Sequence, residues 1–187
     1  MIFIVSIVAS YVIGSFPTAL LYSRFMHGLD IRKIGDGNMG ARNTKRQFGW
    51  RAGILVALAD ILKGALAILL ARQFTLPLEW QLTCGAAVIL GHDFPVFARF
   101  KGGQGFATTS GVFLGLFPLI TLIGALIYFV LFFTFRNSDL AASLGMLFVT
   151  GANVWIGSPL VSIGFIFLAL LFIPAKKWLD RSRMTPQ

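Results

Sequence analysis

The chain has 187 residues, of which 57% are hydrophobic and only 12% are charged, and its mean hydropathy is +0.81. A soluble domain carries about 25% charged residues, so the composition indicates an integral membrane protein. The net charge of +9 could suggest nucleic-acid binding. However, the chain has no soluble basic domain, and basic residues of membrane proteins concentrate in cytoplasmic loops. We therefore predict membrane lipids, and no nucleic acid, as partners.

The first apolar segment, MIFIVSIVASYVIGSF, is predicted to be a retained membrane span. It lacks the basic start and the small-residue cleavage site of a secretory signal peptide. Further apolar segments follow, so the sequence predicts an all-α polytopic membrane protein with seven transmembrane helices in a single transmembrane domain, 1–187. The predicted spans are 2–22, 50–71, 80–97, 106–117, 118–135, 140–156 and 159–174. Pro118 divides the fourth span from the fifth, and the fourth is short for a complete crossing.

The distribution of positive charge predicts the orientation of these spans. Counting seven spans places fourteen of the sixteen Lys and Arg residues on one side of the membrane. The positive-inside rule then predicts that the N-terminus lies outside and the C-terminus in the cytoplasm. Merging the fourth and fifth spans would move Arg136 and the C-terminal basic cluster to the outside, which favours a count of seven.

The loop after the first span contains IRKIGDGNMGARNTKR, residues 31–46. Its GxGxxG pattern would suit a dinucleotide fold, but no strand precedes it, and Asp60, at the distance of the ribose-binding acid, lies in an apolar run. Glycine turns can present backbone N–H groups to an anion, and arginine suits bidentate phosphate contact. A solvated loop with turn glycines is the alternative. The predicted phosphate-binding residues here are Asn38, Gly40, Arg42, Asn43 and Arg46.

The second polar loop, GHDFPVFARFKGGQGFAT at residues 91–108, places Lys101 and three glycines before an apolar helix. Such a loop at a helix N-terminus is a natural anion site, although it lacks the later Gly-Lys-Ser/Thr of a Walker A motif. His92 lies at the predicted membrane edge, where it could titrate or hydrogen-bond a carbonyl group. The predicted phosphate-binding residues here are Lys101, Gly102, Gly103 and Gln104.

Two ionisable residues lie inside the second predicted span. Asp60 and Lys63 are three residues apart, so one helical turn brings them together, and burial requires them to pair. Such residues are functional candidates, but we favour a structural ion pair that orients the first loop. The only cysteine, Cys84, permits no internal disulfide, and no spaced Cys/His cluster is present, so the sequence predicts no metal site.

Four motifs, in this order, resemble those of one family. They are GSFPTALLYSR, DIRKIGDGNMGARN, the intramembrane DILKG, and GHDFPVFARFKGGQGFAT. The family is that of the bacterial integral-membrane acyl-phosphate:glycerol-3-phosphate acyltransferases, called PlsY, and the resemblance extends to residue 135 or so. The chain is identified as a divergent member.

The resemblance implies transfer of an acyl chain from acyl phosphate to the 1-hydroxyl of glycerol 3-phosphate, giving lysophosphatidic acid for phospholipid synthesis. It implies seven spans in the bacterial plasma membrane, an active site at the cytoplasmic face, and no cofactor, metal or CoA. In this family the base is thought to come from the substrate's own phosphate. His92 and Asp36 are the candidate catalytic side chains of this chain.

Several positions depart from the family pattern. Where the family reads GSGNxGATN, this chain has Asp36 and Arg42, and Gln104 replaces the second lysine of KGGKG. We predict that Asp36 and Arg42 pair with each other, which leaves the net charge of the loop unaltered.

The later part of the chain departs as well. Asp139 stands where the family has the first of two serines after the fifth span, with Ser143 near the second as a further predicted binding residue. The tail AKKWLDRSRMTPQ lacks the family's His and Asn. A paralogue with a changed acceptor, or a non-catalytic protein that binds anionic lipid, is therefore an alternative function.

Overall fold

In the computed structural model, which describes residues 1–180, the chain forms α-helices and two short 3-10 segments, Ile31–Lys33 and Val96–Ala98, and no strand. The predicted all-α class is therefore confirmed. Arg181 and Arg183, which the charge count included, lie outside the described residues. The helices are α1 (Ile2–Gly14), α2 (Thr18–His27), α3 (Ala41–Phe48), α4 (Trp50–Gln73), α5 (Leu78–Asp93), α6 (Phe106–Leu116), α7 (Pro118–Phe135), α8 (Ser138–Trp155) and α9 (Leu160–Leu179).

Within residues 1–180, four stretches are long and apolar enough to cross a membrane: Ile2–His27, Trp50–Gln73, Pro118–Phe135 and Leu160–Leu179. The first of these stretches consists of two helices, α1 and α2. Helical geometry is interrupted between them, just before and at Pro17. The predicted break at Pro118 is confirmed, since α6 ends at Leu116 and α7 begins at Pro118. An 11-residue helix such as α6 is about 16 Å long, roughly half the thickness of the hydrocarbon core.

The two polar loops meet at one end of the helical bundle. The guanidinium of Arg32 donates a hydrogen bond to the carbonyl oxygen of Ala98 over 3.1 Å, which ties the first loop to the second. Arg42 at the start of α3 contacts Asp139 at the start of α8. Arg72, by contrast, donates to the carbonyl oxygen of Leu116 at the opposite end. We call the end that contains residues 28–49, 94–105 and 136–139 the loop end.

Glycines allow the central helices to approach closely. A Cβ atom at Gly64 of α4 would overlap the carbonyl oxygen of Thr108 on α6, and one at Gly111 of α6 would overlap the carbonyl of Ile61 on α4. In a membrane the hydrophobic effect does not bring helices together, so small residues at such crossings allow the close van der Waals packing that stabilises them. Large apolar side chains such as Phe113 fill the adjoining core. The α4–α6 contact fixes the position of the N-terminus of α6, where the second polar loop ends. It therefore helps to position the loop end.

We expect Gly64→Ala to destabilise the protein by about 1–3 kcal/mol, because the added methyl group cannot fit against the α6 backbone. Gly151→Ala on α8 is the matched control, since nothing lies within 4 Å of its Cβ position, and alanine favours a helix by about 1 kcal/mol over glycine. Thermal unfolding in detergent measures both. Equal stability of Gly64→Ala and wild type would contradict the close packing.

Candidate active site

A buried group of three ionisable side chains lies directly beneath the loop end. Lys63 Nζ is 2.8 Å from Asp60 Oδ1 and 2.7 Å from His92 Nδ1. Their exposed fractions are 7%, 2% and 6%. The three-residue spacing on α4 brings the lysine and the aspartate together, as the sequence predicts, and the end of α5 adds the histidine. A buried ammonium needs partners of this kind, because desolvating an unpaired charge is costly.

The same ammonium also serves the broken first span. Lys63 Nζ donates to the carbonyl oxygen of Phe16 over 3.4 Å, and Thr18 Oγ1 donates to Asp60 Oδ1 over 3.5 Å. Both residues adjoin Pro17, where helical hydrogen bonding stops between α1 and α2. Backbone groups freed inside a membrane must find internal partners. The buried pair therefore holds the helix break in place as well as the histidine.

The 2.7 Å contact of Nδ1 with Lys63 favours one tautomer of His92, although Asp60 Oδ1 also lies 3.6 Å from Nδ1. An ammonium group can only donate, so Nδ1 must accept with its lone pair, and the neutral ring then carries its proton on Nε2. Nε2 lies against Gly103, where an added Cβ would overlap it. The lone pair of His92 is thus directed into the protein, away from the loop surface. This geometry suits a positioning role better than that of a general base.

The glycines of the second loop pack on the end of α5. A Cβ atom at Gly102 would overlap the carbonyl oxygens of His92 and Asp93, and the N–H group of Gly103 donates to the carbonyl oxygen of His92 over 3.2 Å. Gly105, with φ of +74°, begins α6 against the carboxylate of Asp93. The close approach that these glycines permit is therefore to the protein's own His92–Asp93 segment.

A second buried charged group, which the sequence analysis missed, joins the C-terminal helix to this segment. Lys176 of α9 is fully buried, pairs with Asp180 and lies 5.1 Å from the ring centre of Phe94. Asp93 is also fully buried, and neither of its carboxyl oxygens has a hydrogen-bond partner within residues 1–180. The i,i+4 spacing of Lys176 and Asp180 was the available signal, but it occurs in a tail that is basic overall and suggests a solvated end.

Asn43 holds the first loop together from within. Its amide nitrogen donates to the carbonyl oxygens of Ile34 and Asn38 over 3.1 and 3.0 Å, and its Oδ1 accepts from the N–H group of Asp36 over 3.3 Å. It is 1% exposed. Gly35 adopts a positive φ of 61° at this turn, and a Cβ there would strike the Asn43 side chain. The structure places Asn43, a predicted phosphate ligand, as the internal scaffold of the loop.

Two predicted binding residues lie where the first loop enters α3. The side-chain nitrogen of Asn38 is buried and has no hydrogen-bond partner in the described part of the chain. Gly40 is the N-cap of α3 in an extended conformation, and its carbonyl oxygen accepts from the Thr44 hydroxyl over 3.0 Å. A cleft between Met39, Gly103 and the buried cluster has a volume of about 10 Å³, room for one water.

The predicted pairing of Asp36 with Arg42 is wrong. Arg42 contacts Asp139 over 2.5 Å and the hydroxyl of Ser138 over 3.0 Å, whereas Asp36 contacts Arg46 over 3.3 Å. Arg42 and Arg46 are one helical turn apart on α3, so both point to one face, and Asp36 is reached by the arginine nearer the C-terminal end. Each acid that departs from the family pattern is thus paired with an arginine.

A further ion pair fixes the join between the two loops. Asp30 accepts hydrogen bonds from the Arg32 side chain at 2.6 and 2.9 Å, and Arg24 lies 3.1 Å away. The hydrogen bonds from Arg32 hold the pKa of the Asp30 carboxyl well below its usual range. Because the pKa of Asp30 is depressed, the Asp30–Arg32 ion pair is lost only when the pH falls below the usual range of carboxyl pKa values. The contact of Arg32 with Ala98 is therefore maintained at neutral pH.

The remaining predicted binding residues lie at different depths. Lys101 is exposed, and Gln104 is partly exposed between Gly103 and Gly105. Ser143 is exposed on α8, where its hydroxyl donates to the carbonyl oxygen of Asp139 over 2.9 Å. No group of three His, Cys, Asp or Glu residues within 1–180 has metal-binding geometry. The loop end therefore presents Lys101, Gln104 and the α3 arginines above a layer of buried ionisable side chains.

We expect Asp60→Asn and Lys63→Met each to lower the free energy of unfolding by about 3–5 kcal/mol, because each leaves a buried charge without its partner. The double variant should lose less than the sum of the two single losses. Glu79→Gln, an exposed change at the opposite end, is the control and should alter stability by less than about 0.5 kcal/mol. Additive losses in unfolding measurements would contradict direct coupling of the pair.

Comparison with known proteins gives a consistent family assignment. A family model described as "Glycerol-3-phosphate acyltransferase" matches residues 4–184. The chain is 39% identical over 167 residues to the glycerol-3-phosphate acyltransferase of Bacillus cytotoxicus, covering 89% of this chain and 84% of that one. It is 44% identical over 139 residues to that of Geotalea daltonii, covering 74% and 71%.

Two solved structures are also similar. The crystal structure of PlsY, an integral membrane glycerol 3-phosphate acyltransferase, in its glycerol 3-phosphate form, matches with a TM-score of 0.88 and 28% identity, covering 98% of this chain and 92% of that one. Its lysophosphatidic acid form matches with a TM-score of 0.84 and 26% identity, covering 98% and 91%.

Proposed function

Because the chain belongs to the glycerol-3-phosphate acyltransferase family, we propose that it makes lysophosphatidic acid from glycerol 3-phosphate, with acyl phosphate as the acyl donor. The observation that carries this proposal is the convergence of the two polar loops, tied by the hydrogen bond from Arg32 to Ala98. We infer that this convergence brings Arg46 and Lys101 to one surface. Both substrates are anions, and one is also a lipid, so a basic surface at the end of a membrane bundle suits the pair.

The reaction is an acyl transfer between two oxygen atoms. The 1-hydroxyl oxygen of glycerol 3-phosphate attacks the carbonyl carbon of acyl phosphate, and the bond from that carbon to the phosphate oxygen breaks. Inorganic phosphate leaves with the electron pair, and the hydroxyl proton passes to a phosphate oxygen. The electrons and protons therefore balance without a cofactor. Positioning two anions so that the hydroxyl oxygen can attack the carbonyl carbon is then the principal task of the protein.

The binding roles divide between side chains that are free to reach a ligand and residues that hold the loops. Arg46 and Lys101 are the proposed phosphate-binding cations, with Gln104 and the unpartnered amide of Asn38 as neutral hydrogen-bond donors. Gly40, Asn43, Gly102 and Gly103 act mainly by shaping the loops. Arg42 and Ser143 form the α3–α8 side of the same surface.

Proton transfer to the substrate's own phosphate fits the side chains at this surface. The lone pair of His92 accepts from Lys63, and Asp36 is paired with Arg46. Neither candidate catalytic residue is therefore placed as an uncommitted base. In the proposed reaction a phosphate oxygen of a bound substrate takes the proton of the attacking hydroxyl. His92 then acts by positioning the second loop.

For the membrane arrangement, we propose seven crossings in a single transmembrane domain: α1 with α2, then α4, α5, α6, α7, α8 and α9. In this scheme α6, with 11 residues, is the shortest crossing. Eight of the sixteen Lys and Arg residues lie in the loop end, and Arg24, Arg51, Lys176 and Lys177 lie on the helix ends that adjoin it. By the positive-inside rule we therefore propose that this end faces the cytoplasm and the N-terminus lies outside. The membrane is the bacterial plasma membrane, since acyltransferases of this family are bacterial membrane proteins.

A changed acceptor is the second candidate function, because carboxylates contact both arginines of α3. Asp36 and Asp139 lower the positive charge available to the phosphate of glycerol 3-phosphate. An acceptor with a different charge distribution would make different demands on this surface. An acyl-transfer assay run with glycerol 3-phosphate and with other glycerol and polyol phosphates separates the two candidate functions.

We expect purified protein in lipid to release inorganic phosphate and form lysophosphatidic acid from acyl phosphate and labelled glycerol 3-phosphate. Arg46→Gln and Lys101→Gln should each reduce kcat/KM by at least about tenfold, since a charge-assisted contact contributes roughly 1.5–3 kcal/mol. Lys45→Gln is the matched control: Lys45 adjoins Arg46 in sequence but lies over the ring of Phe132, so this variant should retain activity.

Three outcomes would contradict parts of the proposal. Turnover with another acceptor alone would support the changed-acceptor function. Saturable binding of acyl phosphate with no turnover would indicate a non-catalytic lipid-binding protein. Wild-type kinetics in both the Arg46→Gln and Lys101→Gln variants would show that the substrates bind elsewhere.

A further inference from the structure

The exposed face of α3 carries two arginines that are each already in contact with an acid. The side chains of Arg42 and Arg46 are 46% and 60% exposed. Arg42 contacts Asp139, and Arg46 contacts Asp36, so neither partner belongs to α3 itself. A carboxylate on a guanidinium uses the same donors that a phosphate oxygen would use. The two acids therefore occupy positions that a phosphate ligand would need.

Both acids are held in place by their own chain segments. Asp36 Oδ1 accepts from the N–H group of Asn38 over 3.1 Å, and the N–H group of Asp36 donates to Asn43 Oδ1. Asp139 lies in the first turn of α8, where its N–H group donates to the capping side chain of Asn137 over 3.1 Å. Short, anchored acids face long, flexible arginines. When a ligand binds, the arginines are the groups that can move.

We propose that Asp36 and Asp139 are built-in competitors for the anion site on α3, which a phosphate group enters by drawing Arg46 and Arg42 away from them. The inference rests on the proposed function, because it takes Arg46 as a phosphate-binding residue. It goes further in making two acids determinants of how tightly this enzyme holds phosphate groups.

The charge balance of the surface explains what the competition does. Arg42, Arg46 and Lys177 supply three positive charges, and Lys177 Nζ lies 4.0 Å from Asp139 Oδ2. The two carboxylates reduce the net charge to one positive. A phosphate dianion still binds favourably to the arginines of α3, because it carries two negative charges and has more acceptor oxygens than a carboxylate. Weaker holding lets phosphate and lysophosphatidic acid leave after each turnover.

The size of the effect is limited by exposure. Solvent-exposed ion pairs are weak, and salt screens them further. Removing one competing acid should therefore strengthen phosphate binding by about two- to fivefold, the range that corresponds to an exposed pair. Removing both should strengthen binding further, but not by the product of the two gains, because both acids act on one phosphate site.

The test is the dissociation constant of inorganic phosphate, measured by calorimetry on the full chain in lipid nanodiscs at constant ionic strength. We expect Asp36→Asn and Asp139→Asn each to lower it two- to fivefold, and to lower KM for glycerol 3-phosphate in parallel. Asparagine keeps an oxygen for the N–H group of Asn38, so the turn is retained. Glu79→Gln removes one exposed acid at the opposite end and should change neither constant.

The decisive control is Asp36→Asn in an Arg46→Gln background, where the gain should disappear. The inference would be overturned if the gain persisted in that background, or if Asp36→Asn alone left phosphate affinity unchanged or weaker. It would also be overturned if neither wild type nor Asp36→Asn bound phosphate measurably. Failure of the proposed function is a separate result. If wild type shows no acyl transfer but phosphate binding still tightens in Asp36→Asn, the function is wrong and the competition remains.

Discussion

One buried ammonium group, that of Lys63, is the constraint on which the loop end depends. It lies among helices that offer few polar groups, and it must satisfy its charge and its three N–H bonds within them. The three acceptors come from different parts of the chain: Asp60 on its own helix, His92 at the end of α5, and the carbonyl oxygen of Phe16 at the break between α1 and α2. Satisfying one charge therefore brings three segments together.

From this constraint the second loop acquires its shape. His92, once oriented by Lys63, presents its Nε2 side to Gly103, and the neighbouring backbone accepts the N–H group of that glycine. Only glycine can pack so closely there. Lys101 consequently comes directly before a turn that packs against the end of α5.

The loop end therefore has two layers with different electrostatics. In the lower layer the ionisable groups are buried, and Lys63 and Lys176 are paired with Asp60 and Asp180. In the upper layer Arg42 and Arg46 are exposed, and their pairs with Asp139 and Asp36 are weak enough to exchange for a ligand. Stability and ligand exchange are thus assigned to different sets of residues. This separation allows the acids of the upper layer to vary without loss of the fold.

Sequence reasoning predicted features that follow from local spacing. The helical class, the break at Pro118 and the meeting of Asp60 with Lys63 depend on periodicity, on a missing N–H group and on one helical turn. The sequence could not predict that Asp36 pairs with Arg46, because both arginines of α3 lie within reach and the turn at Gly35 decides between them. The sequence predicted Asn43 and the second-loop glycines as phosphate-binding residues. Their positions as internal supports of the loops depend on tertiary neighbours, which spacing along the chain does not specify.

The most direct test of this account is the ¹⁵N spectrum of ring-labelled histidine in lipid-embedded protein at neutral pH, with His27→Gln used to assign His92. We predict a neutral His92 ring with its proton on Nε2 and an Nδ1 that accepts a hydrogen bond, and loss of that bond in Lys63→Met. A proton on Nδ1 of wild-type His92 would contradict donation by Lys63, and with it the positioning of the second loop.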